Sequence, residues 1–205
     1  TFQRLNHWAV ALLFILLAVS GLALLYPRLF FLTTLFGGGV SVRQLHPWLG
    51  VAWCVLLFVL AVPVVGHNLW NRDDLRWSLH FAKVMRNRHA GLPDLGKYNA
   101  GQKGVYWSLL LLMPVLLGSG LVIWEEYFGA FSSIKRQRLA LVAHSLAAII
   151  AVTIIFTHVY AAIWISGTLR GMLRGNVTGG WAWRNHRKWF RENLGRVMPA
   201  NPSDD

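Results

Sequence analysis

The sequence predicts an all-α integral membrane protein built on a bundle of four transmembrane helices. Two observations carry that reading. Four apolar runs, at about 9–26, 48–65, 105–124 and 139–165, contain no Lys, Arg, Asp or Glu. Each approaches the ~20 residues that cross about 30 Å of hydrocarbon as a helix. The basic residues are also unevenly spread. Arg4, the stretch 66–103 and the tail after Gly167 hold 15 of the 20 Lys and Arg, and the other two connections hold five. Under the positive-inside rule this predicts that the central loop and both termini are cytoplasmic.

Taken in order, the first run (9–26) reads as a span and not a cleaved signal peptide. Three more spans follow it, and no small-residue cleavage site ends it. The absence of an initiator Met suggests that a short N-terminal stretch precedes this numbering. The second run (48–65) holds the single cysteine, Cys54, which has no partner for an intrachain disulfide and reads as a small packing residue. The third (105–124) leaves the cytoplasmic side and the fourth (139–165) returns to it. Residues 1–205 form one membrane domain, with 166–205 a cytoplasmic tail. Its stretch "WAWRNHRKWFREN" (181–193) mixes aromatic and basic side chains, as expected of a segment lying at the inner interface or docking a partner. Ser203, Asp204 and Asp205 read as a frayed end. The net charge of +12 suits contact with anionic lipid. It does not mark a nucleic-acid binder, because four lipid-length segments leave no soluble core. No internal repeat is visible.

The chemistry lies in the histidines. His144 and His158 stand fourteen residues apart in the fourth run. That is about 21 Å of helix and nearly four whole turns, so both lie on one face, at opposite depths. An imidazole in hydrocarbon is costly unless its nitrogens are satisfied. At the outer level His46, before the second run, can face His144. At the inner level His158 can face His7 or, as the weaker choice, His67. Two imidazole pairs across a helical bundle can each hold a six-coordinate haem iron, which completes the fold class: a bundle binding two haems b. Zinc fits less well, because the spans lack thiolate or carboxylate ligands to complete such a site. The other reading of such residues is interhelical hydrogen bonding or proton relay. Gly21, fourteen residues after His7, would let a porphyrin lie against the first helix. His80, His89 and His186 fall in polar, basic segments and read as solvated surface.

The segment "DLGKYNAGQKGVYW" (94–107) leads into the third run at the inner face. Tyr98, Asn99 and Gln102 offer donors and acceptors for a quinone carbonyl, and Gly101 permits close approach. An ordinary helix N-terminus would look similar.

The ordered set "RLNHW", "LHPWLG", "HNLWNRDDLRW", "GKYNAGQK", "SGLVIWEEYF", "HSLAAI", "HVYAAIW" and "GTLRGM" runs nearly end to end. In it the chain resembles the γ subunits of respiratory membrane-bound formate dehydrogenases, four-helix dihaem cytochromes b of the b556 type. The resemblance implies that His46 and His144 ligate the outer haem iron, and His7 and His158 the inner one. It implies a menaquinone site at Asn99, Gly101 and Gln102, bordered by His158. It further implies an iron–sulfur β subunit anchored by its own membrane helix and a molybdopterin-containing catalytic α subunit, and it allows a trimer of heterotrimers. "IWEEYF" departs from a more usual Arg-Pro at Glu125 and Glu126. On this reading the chain is the electron-transferring, quinone-reducing subunit of an oxidoreductase in the bacterial inner membrane. Formate oxidation is not on this chain, and no catalytic residue is assigned. The rivals are the cytochrome b of a quinone-linked nickel–iron hydrogenase, and a haem-free membrane anchor whose histidines relay protons.

Overall fold

A computed structural model describes residues 2–80, 93–165 and 167–194. His89, Ser203, Asp204 and Asp205 lie outside the described residues. Four helices are long and apolar enough to cross a membrane: α1 (Phe2–Leu25), α2 (Gly39–Ala61), α4 (Ala100–Ile123) and α6 (Ile134–Trp164). Short helices connect or follow them: α3 (Arg72–Leu79), α5 (Glu125–Phe128), α7 (Thr168–Arg174), α8 (Gly179–Asn185) and α9 (Arg187–Leu194).

Each long helix extends past its apolar run. α2 starts at Gly39 and continues through a 3-10 stretch, Val62–Asn68, giving 30 residues in all. The extensions carry Arg4, Arg43, Lys135, Arg136 and Arg138, which sit at helix ends where basic head groups can reach water, and Lys103, which is buried. Pro47 lies inside α2, eight residues beyond its start, and cannot donate to the Arg43 carbonyl. Membrane helices tolerate such a break when neighbouring groups satisfy the freed carbonyl.

The chain divides into two compact units. The first comprises Thr1–Pro63 and Trp107–Thr157. In it α1 packs along α2. Asn6 Nδ2 donates to the Leu56 carbonyl at 3.1 Å, and Phe14 meets Trp53 at 5.9 Å between ring centres. Val10, Ala23, Val42, Trp53, Cys54, Leu57, Ala61, Ala147 and Ala151 are buried here. Cys54 is thus a packing residue, as expected. Large apolar side chains face outward, Leu12 at 59%, Phe156 at 72% and Leu111 at 69% exposed. Such faces are stable against lipid and would be unstable against water. Trp48, Trp124 and Tyr127 form an edge-to-face cluster with centres 4.8–6.1 Å apart, the kind of aromatic group that anchors a helix end at an interface.

The second unit comprises Val64–Tyr106 and His158–Asp205. α3 begins with a reciprocal cap: Asn71 Oδ1 accepts from the amides of Asp73 and Asp74, and Asp74 Oδ2 accepts from the Asn71 amide. Asp74 Oδ2 also accepts from Lys103 Nζ at 2.7 Å, and the same ammonium donates to the Leu69 carbonyl at 2.9 Å. Both side chains are buried. The tail docks on this chain's own loop. The Leu95 carbonyl accepts from the Lys188 and Trp189 amides, and Arg187 and Arg191 both pair with Asp94 while lying over the Trp183 ring.

His186 was expected at the solvated surface. It is 3% exposed, and its Nδ1–H donates to the Gly96 carbonyl at 2.8 Å. The turn between α8 and α9 folds it inward beside Trp181, at 5.1 Å between ring centres. Burial lowers its pKa, and the hydrogen bond to Gly96 opposes that shift only in part.

Candidate functional site

α2 and α6 bring two of the four singled-out histidines together. The His46 and His144 rings have centres 6.2 Å apart and planes crossed at 69°. Two imidazoles that share one iron each place a nitrogen about 2 Å from the metal, with the ring centre roughly 1 Å further back. Their centres are then about 6 Å apart, so the observed spacing fits one iron between them.

The outward nitrogens are satisfied by serines. His46 Nδ1 lies 2.7 Å from Ser20 Oγ, and His144 Nδ1 lies 3.0 Å from Ser119 Oγ. Each hydroxyl donates its single proton down its own helix, Ser20 to the Leu16 carbonyl and Ser119 to the Val115 carbonyl. With the hydroxyl protons so directed, each oxygen is free to accept an Nδ1 proton. For His144 a second acceptor agrees, because the Leu116 carbonyl lies 3.1 Å from the same nitrogen. That tautomer leaves each Nε2 with its lone pair, as metal ligation requires.

A glycine follows each serine. A Cβ at Gly21 would stand 3.4 Å from His46 Cε1, and one at Gly120 would stand 3.4 Å from His144 Cε1. The imidazole of His46 lies against Gly21, the residue expected to let a porphyrin approach the first helix. Ser20, Ser119 and Gly120 were not singled out from sequence. The signal that could have found them is the recurrence of Ser-Gly-Leu at 20–22 and 119–121.

His7 lies in α1 in the first unit and His158 in α6 in the second; both are half-buried. The His7 ring meets Trp8 edge-on at 5.6 Å. His67 lies in the 3-10 stretch after α2, with its ring 6.4 Å from that of Tyr98. His80 is half-buried at the end of α3 and donates from Nδ1 to the Arg76 carbonyl. Among the described residues, no group of three or more His, Cys, Asp or Glu gathers to hold a metal. A facing imidazole pair is the ligand set that a haem iron takes from the protein.

Asn99 and Gln102 cap α4. Gln102 Oε1 accepts from the Asn99 amide at 3.0 Å, and Asn99 Oδ1 accepts from the Gln102 amide at 2.9 Å. Gly101 lies against Asn99 Oδ1 and the Trp77 ring. Beside this cap, in the second unit, is a polar cleft of about 460 Å³, lined among others by His67, Asp74, Tyr98, Lys103 and Trp189. Asn99, Gly101 and Gln102 do not line it. Burial raises the Tyr98 pKa, so its phenol stays protonated at neutral pH.

Residues 1–175 match the family of prokaryotic cytochrome b561. The chain is 41% identical over 190 residues to the formate dehydrogenase cytochrome b556(fdo) subunit of Escherichia coli strain K12. That alignment covers 93% of this chain and 89% of the relative. It is 38% identical over 190 residues to the nitrate-inducible formate dehydrogenase cytochrome b556(Fdn) subunit of the same strain, covering 93% and 88%. The formate dehydrogenase cytochrome b556 subunit of Haemophilus influenzae is 34% identical over 191 residues, covering 93% and 80%. A family that spans most of the chain, four membrane-length helices and an imidazole pair at iron-sharing distance agree, and the chain belongs to the prokaryotic cytochrome b561 family of bacterial membrane proteins.

Proposed function

We propose that this chain is the membrane cytochrome b subunit of a formate dehydrogenase, passing electrons across the bilayer from an iron–sulfur subunit to menaquinone. The observation that carries it is the His46–His144 pair, spaced for one iron, with both Nδ1 protons already committed. The family implies haem b, which supplies a one-electron ferric/ferrous couple when bound. His46 and His144 hold the outer iron. His7 and His158 hold a second, inner one, supported by the fourteen-residue spacing on α6 that sets His144 and His158 on one face about 21 Å apart.

The chain's other residues prepare the inner face for the quinone. In the cap of α4, the carbonyl oxygens of Asn99 and Gln102 are occupied, while their amide NH2 groups are the donors a quinone carbonyl needs. A Cβ at Gly101 would crowd Asn99 Oδ1 at 3.3 Å, and the cleft beside the cap gives protons a polar route from the cytoplasm. The orientation rests on the basic residues: both termini are cytoplasmic, and the pair at His46 and His144 faces the periplasm. Electrons enter there from an iron–sulfur subunit with its own membrane helix, fed by a molybdopterin catalytic subunit. The relatives, all formate dehydrogenase cytochromes at 34–41% identity, favour this over a hydrogenase partner.

A pyridine haemochrome assay on the detergent-purified protein tests the reading. Two haem b per chain are expected, and one after His144→Ala. If His144→Ala keeps both, the ligand assignment is wrong; a folded protein without haem removes the electron-transfer function. His7→Ala and His67→Ala, assayed alike, decide the inner pair.

A further inference from the structure

We infer that Ser20 and Ser119 are positioning residues of the outer iron site, each fixing the tautomer and plane of one ligand imidazole and holding the iron's potential low. The inference rests on the reading of His46 and His144 as ligands.

The two halves of the site repeat. On α1 and again on α4, a serine accepts an Nδ1–H from a histidine of another helix, and the next residue is a glycine against which that ring lies. Neither serine has a competing use for its oxygen, because its own proton goes to the carbonyl four residues back. The bond at His46 is short, and Ser20 is fully buried. A ring held at Nδ1 by a hydroxyl and on its edge by a helix cannot turn freely about its Cβ–Cγ bond. Each imidazole plane is therefore set by the protein, and the 69° crossing follows from two serines on different helices.

Such a bond also acts on the metal. An N–H that donates to oxygen makes the imidazole a stronger electron donor, which favours the ferric state and lowers the reduction potential. The two sides are unequal. Among the described residues, the Ser20 hydroxyl is the acceptor that His46 Nδ1 has, whereas His144 Nδ1 has both Ser119 and the Leu116 carbonyl. Removing Ser20 strips one ligand of its acceptor. Removing Ser119 leaves the carbonyl in place.

The test is an optical redox titration of the purified membrane complex, with the low-spin EPR spectrum of its oxidised form. Ser20→Ala should keep both haems and raise the potential of one, with that haem's most anisotropic EPR line displaced as its ring loses its set plane. Ser119→Ala should move the same haem upward by a smaller amount. Unchanged or lowered potentials in Ser20→Ala would overturn the inference, as would a larger shift from Ser119→Ala. If Ser20→Ala loses a haem, Ser119→Ala decides: an upward shift supports the inference and none overturns it. His46→Ala separates the two levels, since retention of both haems there would fail the ligand reading and not the serine bonds.

Discussion

Asp74 and Lys103 form a buried ion pair. The carboxylate closes the cap of α3 and accepts the ammonium, which also reaches the Leu69 carbonyl, and neither side chain is more than 6% exposed. Replacing Asp74 with Ala would leave a buried cation without its counter-charge, which typically costs about 3–5 kcal/mol. The expected outcome is a clear drop in melting temperature in detergent, largely recovered by Asp74→Asn with Lys103→Met, which removes both charges together. An unchanged melting temperature in the Ala variant would show that water reaches the pair. The sequence "NRDDL" carries the capping signature, Asn71 with an acid three residues on. The partner 29 residues away was not legible, because the distance along the chain says nothing about which loop folds over which helix.

At the scale of elements, the start of α4 serves two readings at once. Asn99 and Gln102 cap the helix with their carbonyl oxygens, and the proposed quinone contact uses their NH2 groups. Gln102→Glu keeps the capping oxygen and loses the donor, whereas Gln102→Ala loses both. Menaquinone analogue reduction by the whole complex should slow in both variants with the haem spectra intact. Slowing in Ala alone would reduce the motif to a cap, worth about 1 kcal/mol. The tail makes a second prediction. His186 is buried and its pKa is lowered, so the docked tail binds fewer protons than the released one. Docking stability is full above the unperturbed value of 6.5 and declines as pH falls below it. Protection of the Lys188 and Trp189 amides, both bonded to the Leu95 carbonyl, should fall between pH 7 and 5 once exchange is corrected for its intrinsic pH dependence. Unchanged protection would place the control elsewhere.

For the whole molecule, the direction of electron flow depends on which side each helix end faces. The basic residues of the central loop and tail predict cytoplasmic termini, so a reporter active only in the periplasm should be silent when fused at the C-terminus and active when fused after Phe131. The opposite pattern would reverse the two faces and with them the assignment of donor and acceptor sides. The four helices were legible in the sequence because hydrocarbon accepts only long, uncharged, internally bonded segments, and four such runs stand out. The pairing of His46 with His144 was legible for the related reason that depth in a bilayer follows from residue count. Composition could not reveal that α2 begins at Gly39, that Ser20 and Ser119 accept the imidazole protons, that His186 is buried, or that Asp94 clasps the tail. The sequence by itself determined the four apolar elements, because those depend on local periodicity and on transfer to lipid. Only the tertiary structure decided which polar atoms meet, because a hydrogen bond is made or lost within an ångström, and that distance is set by how helices far apart in sequence are packed.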